Sequence, residues 1–239
     1  MRTLWIYIRI AAFFISSKPD LNKAKKLKAK GDDEGWQRLL KKWYDKAMIL
    51  FPKLLGLTIE VSGKENIITD RAAIYISNHQ SYPDPIAIFY ALGFVCPVLA
   101  KKEVMKIPII SSWMELFDCV YIDREDARKS VESLNQAAVQ INDGRSFIIF
   151  PEGTRTHDGS LGEFKAGAFK VAEKTKAPLV PICIHNMNEV MPRGSMKFHK
   201  ANVKIDILPA IDISGMSRTE IRALPAQIKE MIAEKKEEK

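Results

Sequence analysis

His79 and Asp84, separated by four residues in Asn78-His79-Gln80-Ser81-Tyr82-Pro83-Asp84, are the first pair in the chain able to do chemistry. A carboxylate folded back onto one imidazole nitrogen fixes the tautomer and leaves the other nitrogen free as a general base. On a continuous helix a five-residue offset would point the two side chains apart. Pro83 and Pro85 instead make this segment a turn. The competing reading is a solvated turn histidine beside a helix-capping aspartate, and the motif alone does not choose. A second constellation is Pro151-Glu152-Gly153-Thr154-Arg155-Thr156. Here Gly153 permits close backbone approach, and Arg155 offers a planar fork suited to a phosphate. Taken alone, this segment reads as an ordinary turn with a local Glu–Arg pair.

Both segments follow short apolar runs, Ala72-Ala73-Ile74-Tyr75-Ile76-Ser77 and Phe147-Ile148-Ile149-Phe150, of the length and composition of buried strands. His79 and Glu152 thus fall just beyond strand ends, where open α/β sheets place ligands. From residue 61 onward the sequence alternates. Strands are expected at 72–77, 95–100, 119–123, 146–150, 178–184 and 202–208, and helices at 85–92, 103–117, 125–142 and 163–176. Ala127, Val131, Leu134, Ala138 and Ile141 form an apolar stripe before Gly144. Ser217 and Glu220 make a capping box for a last helix. The alternation predicts an α/β fold with a mostly parallel sheet flanked by helices. The strand at 202–208 alternates Val203, Ile205 and Ile207 with Lys204 and Asp206, which predicts a half-exposed or edge position.

The segments together resemble one family, the glycerolipid acyltransferases, and most closely the 1-acyl-sn-glycerol-3-phosphate (lysophosphatidate) acyltransferases. The family's first block pairs His and Asp across four residues, as His79 and Asp84 do. Its second resembles Val120-Tyr121-Ile122-Asp123-Arg124, and its third, Phe-Pro-Glu-Gly-Thr-Arg, stands unchanged at residues 150–155. Its fourth, an apolar stretch around a proline, resembles Leu179-Val180-Pro181-Ile182, and an Ala-Lys segment matches Ala100-Lys101-Lys102-Glu103. The resemblance implies His79 as base and Asp84 as its orienting partner. Lys101, Arg155 and Arg124 become candidates for an acceptor phosphate, with Glu152, Gly153 and Thr154 shaping that loop. It also implies an acyl-CoA or acyl-acyl-carrier-protein donor consumed as co-substrate, with no bound cofactor. Lysophosphatidate is the leading acceptor, and glycerol 3-phosphate or another lysophospholipid the alternative.

Other classes find little support. Cys96, Cys119 and Cys183 sit in or beside apolar runs without ligand-like spacing, so neither disulfides nor a metal site is expected. The four histidines, His79, His157, His185 and His199, are scattered, and no Gly-x-Ser-x-Gly elbow occurs. In 239 residues the net charge is +8. Residues 1–60 hold thirteen Lys or Arg against six Asp or Glu, so most of the excess lies there. Nucleic acid is disfavoured as the partner, because these cations flank apolar helices and form no recognition motif. A noncatalytic module for anionic membranes would explain the charge but makes no demand for His79 and Asp84.

The division expected is therefore a two-helix amphipathic membrane-binding motif over residues 1–60 and an α/β acyltransferase domain over 61–239. Residues 3–15 would make a helix about 20 Å long, short of the roughly 30 Å hydrocarbon core. Arg9 interrupts the apolar run and Ser16-Ser17-Lys18-Pro19 is a poor cleavage site, which favours a retained anchor over a signal peptide. In the second helix Trp36, Leu39, Leu40, Trp43, Ala47, Leu50, Phe51 and Leu54 recur at helical steps opposite lysines, which suggests an interfacial face. The same stripe also fits a helix packed on its own domain. The expected location is the cytoplasmic face of the cell membrane, bound monotopically or peripherally, with an anionic phospholipid surface as partner.

Overall fold

The computed structural model describes residues 1–156 and 159–238, so His157 lies outside the described residues. Three helices come first: α1 (Arg2–Ser16), α2 (Lys18–Ala29) and α3 (Asp33–Leu55). There are three where two were expected, because the lysine-rich stretch has its own inward side, with Leu21 and Ala24 buried. Asp32 caps α3 through its side chain on the Gly35 N–H, and Gly56, left-handed at φ 75°, ends it.

Seven strands follow in two sheets. The larger runs β1 (Leu57–Ser62), β7 (Ala201–Ile207), β6 (Leu179–His185), β2 (Ile74–Ser77), β5 (Phe147–Ile149) in spatial order. All neighbouring pairs are parallel except β6 with β7. The smaller sheet pairs β3 (Leu99–Lys101) with β4 (Val120–Ile122), also parallel, and a parallel bridge from Val98 to Ile148 ties it to β5. Buried on every residue, β2, β5 and β6 read as continuous apolar runs for that reason. The mostly parallel α/β sheet expected from the alternation is what forms.

The helices α4 (Asp84–Leu92), α5 (Pro108–Leu116), α6 (Ala127–Asn142), α7 (Ala166–Thr175), the short α8 (Met187–Val190) and α9 (Arg218–Glu237) complete the chain. The Ser217–Glu220 capping box forms as expected at the start of α9. One apolar cluster fills each face of the sheet. Tyr75, Ile148, Val180 and Ile182 share the first with α1–α4, while Ile74, Ile76, Phe147 and Leu179 share the second with α6, α7 and α9.

The structure corrects three expectations. β7 is not an edge strand, because β1 pairs with it over Leu57–Ser62 and takes the edge. The expected boundary at residue 60 falls inside β1. The apolar stripe of α3 does not face outward either. Trp36 (2% exposed), Leu40 (8%) and Trp43 (4%) are core residues. Trp43 packs against Trp113 and Phe117, with ring centroids 5.1 and 4.9 Å away. The lysines opposite the stripe are partnered by the protein itself, Lys42 with Asp20 and Lys41 with Asp45. The exposed large apolar side chains of the N-terminal segment are instead Met1, Leu4, Trp5, Ile8 and Ile15 in and before α1, with Ile49 of α3.

Candidate active site

β2, β5, β3 and β4 run parallel, so their carboxyl ends open on one edge of the molecule. His79 follows β2, Glu152 follows β5, Lys101 ends β3 and Arg124 follows β4. Topology alone thus brings four separated segments to one rim.

The loop after β2 is held at nearly every residue. Asn78 clamps β6, donating from Nδ2 to the Ile184 carbonyl (2.9 Å) and accepting the Ile184 N–H at Oδ1 (2.8 Å). Gln80 accepts the Met187 N–H at 2.8 Å, and Ser81 Oγ donates to the Met191 carbonyl at 2.8 Å. Asp84, fully buried at the start of α4, accepts the backbone N–H of Gln80 (2.7 Å) and Ser81 (2.9 Å) at Oδ2. The same oxygen lies 2.7 Å from His79 Nδ1. In the tautomer that donates from Nδ1 to this carboxylate, Nε2 is the nitrogen left with a lone pair. The His79 ring stacks on Phe150, centroids 4.3 Å apart, which closes one face while 19% of the side chain stays accessible.

Glu152 is buried, and both of its oxygens are committed to backbone. Oε1 accepts the His79 N–H and Oε2 the Gly162 N–H, each at 2.8 Å. Burial pushes its pKa up, against the pull of those two N–H bonds. A Cβ at Gly162 would come 2.6 Å from Oε2, so any other residue there would displace that carboxylate oxygen. Removing both acceptors should leave two N–H groups unpaired at about 1–3 kcal/mol each. Glu152→Ala is therefore expected to lower the unfolding midpoint and kcat together, and Glu152→Gln, which retains one acceptor oxygen, to lose less of each.

Gly153 adopts φ 71°, a conformation side chains rarely take, and Thr154 is exposed. Arg155 lies with its guanidinium carbon 3.6 Å above the Tyr82 ring, and its Nη1 is buried with no hydrogen-bond partner among the described residues. Lys101 is half-exposed and pairs with Glu103 at 3.0 Å, and Arg124 is exposed. Direct contacts join His79, Asp84 and Glu152. Lys101 and Arg124 share their rim, with no bond to them among the described residues.

An acyltransferase family model matches residues 58–185, more than half of the chain and the whole of this rim. The chain belongs to the acyltransferase family. This acyltransferase is 31% identical over 186 residues to the 1-acyl-sn-glycerol-3-phosphate acyltransferase of Borreliella burgdorferi, covering 77% of this chain and 74% of that one. It is 41% identical over 138 residues to a chloroplastic 1-acyl-sn-glycerol-3-phosphate acyltransferase of Arabidopsis thaliana, covering 57% of this chain and 38% of that one. The chain thus spans about two fifths of the length of the chloroplast relatives it matches. Its fold matches the crystal structure of the 1-acyl-sn-glycerophosphate (LPA) acyltransferase, PlsC, from Thermotoga maritima, with a TM-score of 0.83 at 25% identity. That match covers 100% of this acyltransferase and 97% of the Thermotoga chain.

Two features of the site escape a reading of the sequence. Tyr82 carries no signal as a partner of Arg155, because it sits inside a turn motif read for its histidine. Arg193, whose Nη1 donates to the Arg155 carbonyl at 2.6 Å, comes from a loop 38 residues away.

Proposed function

We propose that this acyltransferase moves a fatty acyl group from an acyl thioester to the free hydroxyl of 1-acyl-sn-glycerol 3-phosphate, giving phosphatidic acid for phospholipid synthesis. The observation that carries the reading is the 2.7 Å contact between His79 Nδ1 and buried Asp84 Oδ2, at the strand edge where the family's blocks converge. A thioester is already activated, so the acceptor oxygen attacks its carbonyl carbon directly. Nε2 of His79 takes the hydroxyl proton as that C–O bond forms, while Asp84 stabilises the resulting imidazolium. Collapse of the tetrahedral intermediate breaks the C–S bond, and the leaving thiolate recovers the proton. No cofactor is needed for these steps.

Arg155 is the favoured contact for the acceptor phosphate, since no carboxylate among the described residues pairs with it and a phosphate would give the buried Nη1 the partner it lacks among them. Lys101 and Arg124 add positive charge on the same rim, and Gly153 and Thr154 shape the loop. Glu152 supports the site by fixing the backbone of His79. A charge-assisted hydrogen bond contributes roughly 1.5–3 kcal/mol, so Arg155→Ala should raise the acceptor KM about 10- to 150-fold with kcat less affected. Steady-state kinetics with varied acceptor test this, and an unchanged KM would place the phosphate elsewhere.

The donor is acyl-CoA or acyl-acyl-carrier protein, and lysophosphatidic acid in an anionic phospholipid membrane is the acceptor. No helix among the described residues is long and apolar enough to cross a membrane. The exposed stripe Leu4, Trp5, Ile8 and Ile15 on α1 supports a monotopic or peripheral seat on a membrane, which we assign to the cytoplasmic face of the cell membrane. A panel of acyl-CoA and acyl-acyl-carrier-protein donors against lysophosphatidate, glycerol 3-phosphate and other lysophospholipids in vesicles tests the whole assignment. Transfer to lysophosphatidate is expected to dominate, and its absence with every donor would overturn the reading.

A further inference from the structure

Arg155 is held in an unusual way for a buried-edge arginine. Among the described residues no carboxylate pairs with it. Its guanidinium carbon lies 3.6 Å over the centre of the Tyr82 ring, and Nη1 is buried and unpartnered. A carboxylate would occupy two in-plane N–H donors. A ring face offers no such acceptor, so the contact with Tyr82 holds the guanidinium without pairing its charge.

Tyr82 is itself 61% exposed, so burial of its own surface does not explain its place. Its backbone is fixed, because the preceding residue, Ser81, donates its N–H to Asp84 and its hydroxyl to Met191. On the other side Arg193 holds the Arg155 carbonyl, and the Thr156 N–H donates to the His79 carbonyl at 3.3 Å. The guanidinium is thereby set at a fixed place relative to the His79 ring.

We propose that Tyr82 is a positioning residue for acceptor recognition: its ring is the platform that holds the Arg155 guanidinium in place for the acceptor's phosphate. This rests on the reading of Arg155 as the phosphate contact. The ring face is the working part, and the phenol hydroxyl is dispensable.

The test is a double-mutant cycle on the full chain with a short-chain, water-soluble lysophosphatidate, so that membrane partitioning does not enter. Tyr82→Leu should raise the acceptor KM about 2- to 30-fold, the range of a cation–π contact, with the donor KM unchanged. Tyr82→Phe should stay near wild type. In an Arg155→Ala background Tyr82→Leu should add nothing. An unchanged acceptor KM in Tyr82→Leu overturns the proposal. So does an equal loss with and without Arg155, or a matching rise in donor KM, which would mark a general packing role. If Arg155→Ala leaves the acceptor KM unchanged, the phosphate reading of Arg155 has failed, and the platform role falls with it.

Discussion

His79→Ala is expected to reduce acyl transfer by about 10²–10⁴ while the protein stays folded and bound to vesicles. The expectation follows from where the histidine sits. Its ring contributes one hydrogen bond, to Asp84, and a stack on Phe150, but the loop around it is anchored by Asn78, Gln80, Ser81 and Glu152. Deleting the imidazole removes the proposed base and little of the scaffold. Asp84→Asn differs. The amide can place its NH2 toward Nδ1 and force the proton to Nε2, which is the wrong tautomer for a base. It can also turn its oxygen there and give up the charge that stabilises the imidazolium. Both variants should lose kcat, and Asp84→Asn should in addition lose thermal stability, because Oδ2 also holds the N–H groups of Gln80 and Ser81. Near-normal single-turnover rates in a folded His79→Ala protein would exclude the histidine as base.

The parts of this site that the sequence disclosed are those whose cause is local. A continuous apolar run that gives way to a polar, proline-bearing turn marks a buried strand and its end, so the carboxyl edges of β2 and β5, with the residues just beyond them, could be read directly. Features set by distant partners could not. β1 is six residues with alternating exposure and includes Thr58 and Glu60, and only its pairing with β7 makes it a strand. Glu152 beside Arg155 in sequence suggests a local pair. In space its carboxylate turns to His79 and Gly162 instead, and Arg155 turns to Tyr82. The lysines of the N-terminal segment suggested a lipid headgroup layer, yet several meet carboxylates of the protein, Lys25 with Glu115 and Lys28 with Asp118 among them. A stripe at helical spacing tells that a helix buries one face. It does not tell what covers that face.

That distinction separates two variants of the same N-terminal segment. Trp43 is 4% exposed, in ring contact with Trp113, Phe117 and Phe13. Its Nε1 has no partner among the described residues, so packing holds the ring. Truncating a buried tryptophan costs about 3–5 kcal/mol, a large share of the 5–15 kcal/mol that holds a typical domain folded. Trp43→Ala should therefore lower the unfolding midpoint by about 6–20 °C for a chain of this size. Activity should fall equally on membrane-borne and water-soluble acceptors, because what fails is the support beneath α5 and the sheet. Replacing Leu4, Trp5 and Ile8 of α1 together with Ser should do the reverse. These side chains are 66%, 55% and 57% exposed, so the fold gives up little contact and the midpoint should move by only a few degrees. Full burial of one such side chain is worth about 1.5–3 kcal/mol, so partial insertion of three makes a tenfold or greater drop in vesicle partitioning the expected result. Transfer to long-chain acceptor in vesicles should fall with it, and transfer to a short-chain soluble acceptor should persist. Unchanged partitioning of the α1 variant would show that lipid meets another face of the protein.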